Sequence, residues 1–172
     1  MINICKNKFK YFLLLISVIF FFYIISYNKN IKSYKEQNSF ILNSKKNTEK
    51  NNEFLFKKMK YIKEKYISSN NFDKAEIEYK RLLSIPCDEN IKCIIIINLS
   101  RIQIFLKKFN CAYKNLNTIK VNEWKPLSLM YKGDIELLKG DKDKAVCIYN
   151  NILKLNCPES IKNLIMLKLR NI

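Results

Sequence analysis

Gly140-Asp141-Lys142-Asp143-Lys144-Ala145, followed by Tyr149, Ile152 and Pro158, decides how this chain folds. It reads as a tight turn and the second helix of a helical hairpin. Gly140 tolerates the positive φ such a turn needs, and Pro158 ends the helix. Tyr149 and Ile152 stand at i+4 and i+7 from Ala145, on one helical face that can pack against a neighbouring unit. Where two helices cross closely, a small residue must sit at the contact. Ala145 supplies it on the second helix, and Gly133, twelve residues earlier, on the first.

The same spacing recurs with decreasing fidelity. Asn71-Phe72-Asp73-Lys74-Ala75 with Tyr79, Leu82 and Pro86 is one copy, and Phe109-Asn110-Cys111-Ala112 with Leu116 and Ile119 is another. The alanines stand 37 (75 to 112) and 33 (112 to 145) residues apart, bracketing the roughly 34-residue period of tetratricopeptide-type repeats. The middle copy carries Ser100 in the glycine's place and has no aromatic at Leu116. The expected repeat-packing residues are therefore Ala75, Tyr79, Ala112, Leu116, Gly133, Gly140, Ala145 and Tyr149. The competing account is an ordinary helical bundle with alanines at similar intervals.

Composition favours helix throughout, with two Gly, three Pro and abundant Lys, Leu and Glu. The run Ile94-Ile95-Ile96-Ile97 is the one place where β propensity competes; Asp88-Glu89 before it and Asn98 to Ile102 after it favour a buried helix. The formal charge of +17 leaves open a membrane-tethered basic protein binding nucleic acid or an anionic surface. Three features weigh against nucleic acid as a partner. Arginine stands only at 81, 101 and 170, the lysines are spread along the whole chain, and Lys, Asn, Ile, Phe and Tyr are the set enriched by A/T-rich mutational drift.

There is no histidine, which removes the usual general base and the commonest zinc ligand. The six cysteines, at 5, 87, 93, 111, 147 and 157, form no Cys-x-x-Cys pair. Bonds Cys87–Cys93 and Cys147–Cys157 are conceivable in an oxidising space; free thiols are the plainer account. No paired carboxylates, phosphate loop or nucleophile–base pair stands out, so no catalytic, metal-ligating or cofactor-binding residue is assigned, and a non-enzyme without cofactors is expected.

Residues 1–8 form a short basic tail. Residues 9–27 are apolar almost without interruption and give about 28 Å of helix, which just spans a bilayer core of about 30 Å. Tyr11, Tyr23 and Tyr27 suit its interfaces. The length of the segment and the lack of a small-x-small site favour an uncleaved lipid-embedded anchor over a signal peptide. Lys6, Lys8 and Lys10 before the span are matched by Lys29, Lys32 and Lys35 after it, so charge does not settle orientation. Residues 28–52 read as linker with a weak helix over 31–42, and residues 53–172 as the repeat domain. Helices are predicted at about 54–68, 72–84, 89–107, 109–119, 125–139, 142–155 and 159–170. The architecture is then all-α: one transmembrane helix, about three hairpins and a C-terminal capping helix.

From Asp88 onwards the residues resemble a specific family, the YfgM-type ancillary subunits of the bacterial SecYEG translocon. The resemblance rests on Asp88-Glu89-Asn90-Ile91-Lys92, Asn98-Leu99-Ser100-Arg101-Ile102-Gln103, Leu116-Asn117-Thr118-Ile119-Lys120 with Trp124, Gly133, Leu137 to Lys142 and the terminal Lys168-Leu169-Arg170-Asn171-Ile172. It implies a single-pass inner-membrane protein with a cytoplasmic N-terminus and a periplasmic repeat domain. It also implies association with the translocon and with a membrane-anchored periplasmic peptidyl-prolyl isomerase, and delivery of exported chains to periplasmic chaperones. Residues 31–60 match poorly, and the domain's five cysteines are not part of the family pattern. An adaptor of this kind presents protein-binding residues mainly from the first helices, and Lys63, Tyr66, Gln103, Trp124, Met130 and Lys132 are the candidates, with Trp124 also suited to repeat packing.

Overall fold

The structure is a computed structural model that describes residues 46–172. The tail at 1–8, the anchor at 9–27 and most of the linker lie outside the described residues. Seven α-helices and no strand are found among the described residues. Helix α1 covers 46–62 and runs into a π turn at Lys63–Ile67. There follow α2 (Phe72–Leu82), α3 (Glu89–Phe105), α4 (Phe109–Asn117), α5 (Lys125–Leu138), α6 (Lys142–Leu153) and α7 (Glu159–Arg170). Pairs α1–α2, α3–α4 and α5–α6 are the hairpins, and α7 packs on α5 and α6. Among these residues no helix is long and apolar enough to cross a membrane.

Each hairpin turns in the same way. Asn70, Lys107 and Gly140 have φ of 57°, 58° and 91°, and each stands five residues before its alanine. The next residue's N–H reaches back to a carbonyl five positions earlier: Asn71 to Tyr66 at 2.7 Å, Lys108 to Gln103 at 2.7 Å, Asp141 to Glu136 at 2.9 Å. These are Schellman turns, which close a helix on a left-handed residue. Asn71 and Asp141 then cap α2 and α6 by accepting from Lys74 N and Lys144 N. Lys108 makes no such side-chain cap.

Lysine has no intrinsic liking for positive φ, so the middle turn carries backbone strain that the outer two relieve with Asn and Gly. Lys107→Gly is expected to raise stability by up to about 1 kcal/mol. Gly140→Ala, where nothing lies within 4 Å of an added Cβ, should lower it by about 1 kcal/mol through the backbone alone. Urea unfolding followed by circular dichroism reads both.

Three cores follow one another along the stack, each shared by three consecutive helices. The first joins Leu55, Met59 and Ile62 to Ala75, Tyr79 and Leu82 and to Ile91, Ile95, Leu99 and Ile102. The second joins Cys93, Ile96 and Ile97 to Ala112, Leu116, Ile119 and Ile135. The third holds Met130, Ala145, Tyr149, Ile152 and Ile165. Helix α3 therefore faces two cores at once. That is why its isoleucine run is helical: apolar on two sides, it is stabilised by packing that outweighs β propensity.

The small residues sit at the hairpin contacts. Gly133 lies so close to the ring of Tyr149 that a Cβ there would come within 2.9 Å of two ring atoms, Cδ1 and Cζ. At the matching places of the second hairpin stand Ser100 and Leu116. Ser100, itself buried, donates to the Ala112 carbonyl at 3.5 Å. In the first hairpin the residue twelve before Ala75 is Lys63, which is exposed, while Ile62 is buried. The π turn adds one residue to this helix and shifts its register.

Helix α1 begins earlier than the predicted 54, inside the stretch read as linker. Its polar first turns are held from outside. Asn51 Nδ2 donates to the Pro86 carbonyl at 2.8 Å, and Asn52 Oδ1 accepts from Asp88 N at 3.2 Å. Thr48–Ile172 accordingly forms one compact unit.

Candidate functional site

Helix α3 touches α5 and α5 touches α7, whereas α2, α4 and α6 pack against the first helices beside them. The first helices thus lie side by side and form the inner surface of the stack, as in solenoids generally. Two cavities open along it. One, of about 580 Å³, lies among α1, α2 and α3. The other, of about 370 Å³, lies among α3, α5 and α7. Arg101 lines both.

The lining repeats. On α3 it comes from Asn98, Arg101 and Phe105, and on α5 from Tyr131, Asp134 and Leu138. These are offsets of −2, +1 and +5 from Ser100 and from Gly133. At about 100° per residue they fall on the side of the helix turned away from the hairpin contact. Phe105 is 64% exposed, and its ring rests on that of Phe72 at 3.9 Å.

Electrostatics differ between the two cavities. In the first, Lys60, Lys63 and Arg101 stand around apolar walls, and no carboxylate lines it. Burial pushes the Tyr79 and Tyr131 phenols up, and the nearby positive charge of Arg101 acts in the opposite sense on both. In the second, Asp134 Oδ1 accepts from Tyr149 Oη at 2.5 Å and from Lys168 Nζ at 2.8 Å. One carboxylate ties α5, α6 and α7 together. Burial first, then this contact with Asp134, pushes the Tyr149 phenol up.

Not all of the predicted surface residues lie on this face. Lys63 does, on the first cavity. Gln103 is 1% exposed and Met130 4%. Their offsets of +3 and −3 from the small residue turn them back towards the packing face, so both are corrected to interior positions. Gln103 bridges Glu76 at 3.0 Å and Asn115 at 2.9 Å. Tyr66 is half-buried and stacks edge-on against Tyr61. Trp124 is half-buried against the second core, its Nε1 donating to Asn90 at 2.9 Å. Lys132 lies over the Tyr113 ring at 5.5 Å, and burial, then Lys120 and Lys125, lowers its pKa. Arg101, Asn98, Phe105 and Tyr131 were not singled out for the surface; the +1, −2 and +5 offsets from the small residue would have found them.

Ala75, Tyr79, Ala112, Leu116, Ala145 and Tyr149 are all buried, as is Gly133, while Gly140 is exposed in its turn. The five cysteines of the described residues are free, so neither Cys87–Cys93 nor Cys147–Cys157 is formed. Among the described residues no three His, Cys, Asp or Glu side chains are placed to hold a metal ion. The arrangement is suited to holding apolar and charged side chains along a surface.

A family model for tetratricopeptide repeat-like domains matches residues 28–172. The chain is 30% identical over 150 residues to the ancillary SecYEG translocon subunit of Buchnera aphidicola subsp. Schizaphis graminum (strain Sg), covering 86% of this chain and 77% of that protein. This chain belongs to the ancillary SecYEG translocon subunit family. Two further members are similar: that of Buchnera aphidicola subsp. Acyrthosiphon pisum (strain APS) is 31% identical over 111 residues, 64% of this chain and 58% of that one. The ancillary SecYEG translocon subunit of Escherichia coli (strain K12) is 28% identical over 111 residues, 64% of this chain and 54% of that one. The chain thus spans little more than half the length of these two relatives. The repeat-domain match begins at residue 28 and so takes in residues 31–60, where the resemblance to ancillary translocon subunits was read as poor.

Proposed function

We propose that this chain is a membrane-anchored, non-catalytic adaptor associated with the SecYEG translocon. In this reading it binds other proteins along the inner surface of α1, α3, α5 and α7. It thereby helps exported proteins pass to periplasmic chaperones, next to a membrane-anchored periplasmic peptidyl-prolyl isomerase. Residues 9–27 cross the inner membrane, residues 1–8 lie in the cytoplasm, and the repeat domain lies in the periplasm. The observation that carries the reading is the row of first-helix positions −2, +1 and +5, which leaves apolar and charged side chains open along one face in a member of this family. A surface of that kind suits extended or helical segments of partner chains.

Extraction of the tagged full chain in mild detergent, followed by identification of co-purifying proteins, tests the reading. Translocon subunits are expected. Their absence, while a known subunit is recovered with the translocon in parallel, would overturn it. Sidedness has its own test. Cys111 and Cys147 are exposed, so a membrane-impermeant maleimide should label both in cells whose outer membrane alone is permeabilised. Labelling only after the inner membrane is opened would place the domain in the cytoplasm. Cys87 and Cys93, whose thiols burial pushes up, should react far more slowly.

A further inference from the structure

We infer that the cavity among α1, α2 and α3 docks a peptide segment of a partner protein in which an aromatic or leucine-sized side chain is flanked by carboxylates. The inference rests on the adaptor reading and adds the chemistry of what is held. Its walls are unusual for a surface. Phe56 is 49% exposed, and with the still more exposed Phe105 and with Phe72 it lines one cavity of about 580 Å³. Aromatic side chains gathered in an open cleft mark a place where apolar groups are received.

The rim decides the partner's charge. Some lysines of the domain meet carboxylates closely: Lys57 with Glu53 at 2.6 Å, Lys80 with Glu76 at 2.6 Å, Lys144 with Asp141 at 2.8 Å. The cations around this cavity do not. Lys60 reaches only Glu64, at 3.8 Å, with both side chains in solvent. Lys63 and Arg101 have no ion-pair partner among the described residues, and no Asp or Glu lines the cavity. Arg101 is also one of only three arginines in the chain, and its fork can hold a carboxylate through two parallel hydrogen bonds as lysine cannot. Asp134, which lines the second cavity together with Arg101, is already matched by Lys168 at 2.8 Å. Three cations beside exposed aromatic rings complement a segment that brings both an apolar anchor and negative charge.

The test uses the full chain in detergent micelles and three fluorescein-labelled twelve-residue peptides. The first has a central Phe-Ser-Ser-Leu flanked on each side by two glutamates. The second has glutamines for the glutamates, and the third has serines for Phe and Leu. The first peptide should bind at least fivefold more tightly than either other. Arg101→Glu should weaken it at least fivefold and should favour a fourth peptide with lysines for the glutamates. That reversal of preference separates a charge effect from a folding defect. Lys114→Glu, exposed on α4, should leave binding within twofold. Equal binding of the glutamate and glutamine peptides, or an unaffected Arg101→Glu protein, would overturn the inference. So would tighter, Arg101-dependent binding of a twenty-nucleotide oligothymidylate, which would assign the cations to phosphate. Recovery of the translocon with no peptide discrimination would remove this inference alone. Discrimination without the translocon would remove the translocon reading and leave the docking site standing.

Discussion

Gly133→Ala is expected to lower the stability of the repeat domain by about 1–3 kcal/mol, the usual cost of overpacking a tight contact. In an open helix the same change would raise stability by about 1 kcal/mol, because alanine is the better helix former, so the sign itself is diagnostic. The added Cβ meets the Tyr149 ring, within 2.9 Å of Cδ1 and Cζ. That ring cannot swing aside: it is buried, and its hydroxyl is held by Asp134 at 2.5 Å. The second hairpin has Ser100 and Leu116 at the matching positions, with Ser100 bonded to the Ala112 carbonyl, and so builds its contact from a different pair. The double variant Gly133→Ser with Tyr149→Leu should therefore return to within about 1 kcal/mol of the starting protein, a coupling expected of residues in direct contact. Urea unfolding of the full chain in mild detergent, followed by circular dichroism, measures all three. A stabilised Gly133→Ala protein would mean that the two helices do not cross at this point.

Glu76→Gln should cost about 1–2 kcal/mol at pH 7, and the loss should vanish in acid. Glu76 is 4% exposed, and burial alone would raise its pKa. Hydrogen bonds from Lys108 at 2.6 Å, Lys80 at 2.6 Å and Gln103 at 3.0 Å outweigh it, and the carboxyl is held down at about 2 from the ordinary 4.5. Converted directly, such a shift is worth about 3 kcal/mol. Both lysines are roughly half exposed, so water screens part of that and the smaller figure is expected. The sign follows from a depressed carboxylate pKa. Between pH 4.5 and about 2 the unfolded chain binds the proton that the folded chain refuses, so stability falls as the pH falls through that window. The difference between the two proteins should be full at pH 7, smaller at pH 3 and closed near pH 2. A gap that stays constant across this range would mean that Glu76 contributes shape and not charge.

Much of the hairpin fold could be read from residue spacing, because a buried small residue and its i+4 and i+7 neighbours are a local pattern. Ala75, Ala112 and Ala145 mark the second helices, and Gly140 announces its own turn. Lys107 does not: nothing in a lysine signals positive φ, and its conformation is imposed by the helices on either side. The early start of α1 was hidden for a similar reason. Asn51 and Asn52 read as linker because their partners, Pro86 and Asp88, lie some 35 residues away. The inner surface was only partly legible. Lys63 reaches it because the π turn shifts the register of α1, and no sequence pattern betrays that turn. Gln103 and Met130 were expected there from their place along the first helices, whereas angle about the helix axis decides which residues face the groove.

A photoreactive phenylalanine analogue at Asn98, on the first cavity, set against the same analogue at Lys114 on the exposed side of α4, tests the central claim most directly. Irradiated in cells during export, the chain modified at 98 should form adducts with a translocon subunit or an exported protein, identified by mass spectrometry, and the chain modified at 114 should not. Adducts from 114 alone, or none from 98 although the translocon co-purifies, would contradict the account of the first-helix surface as the adaptor's binding face.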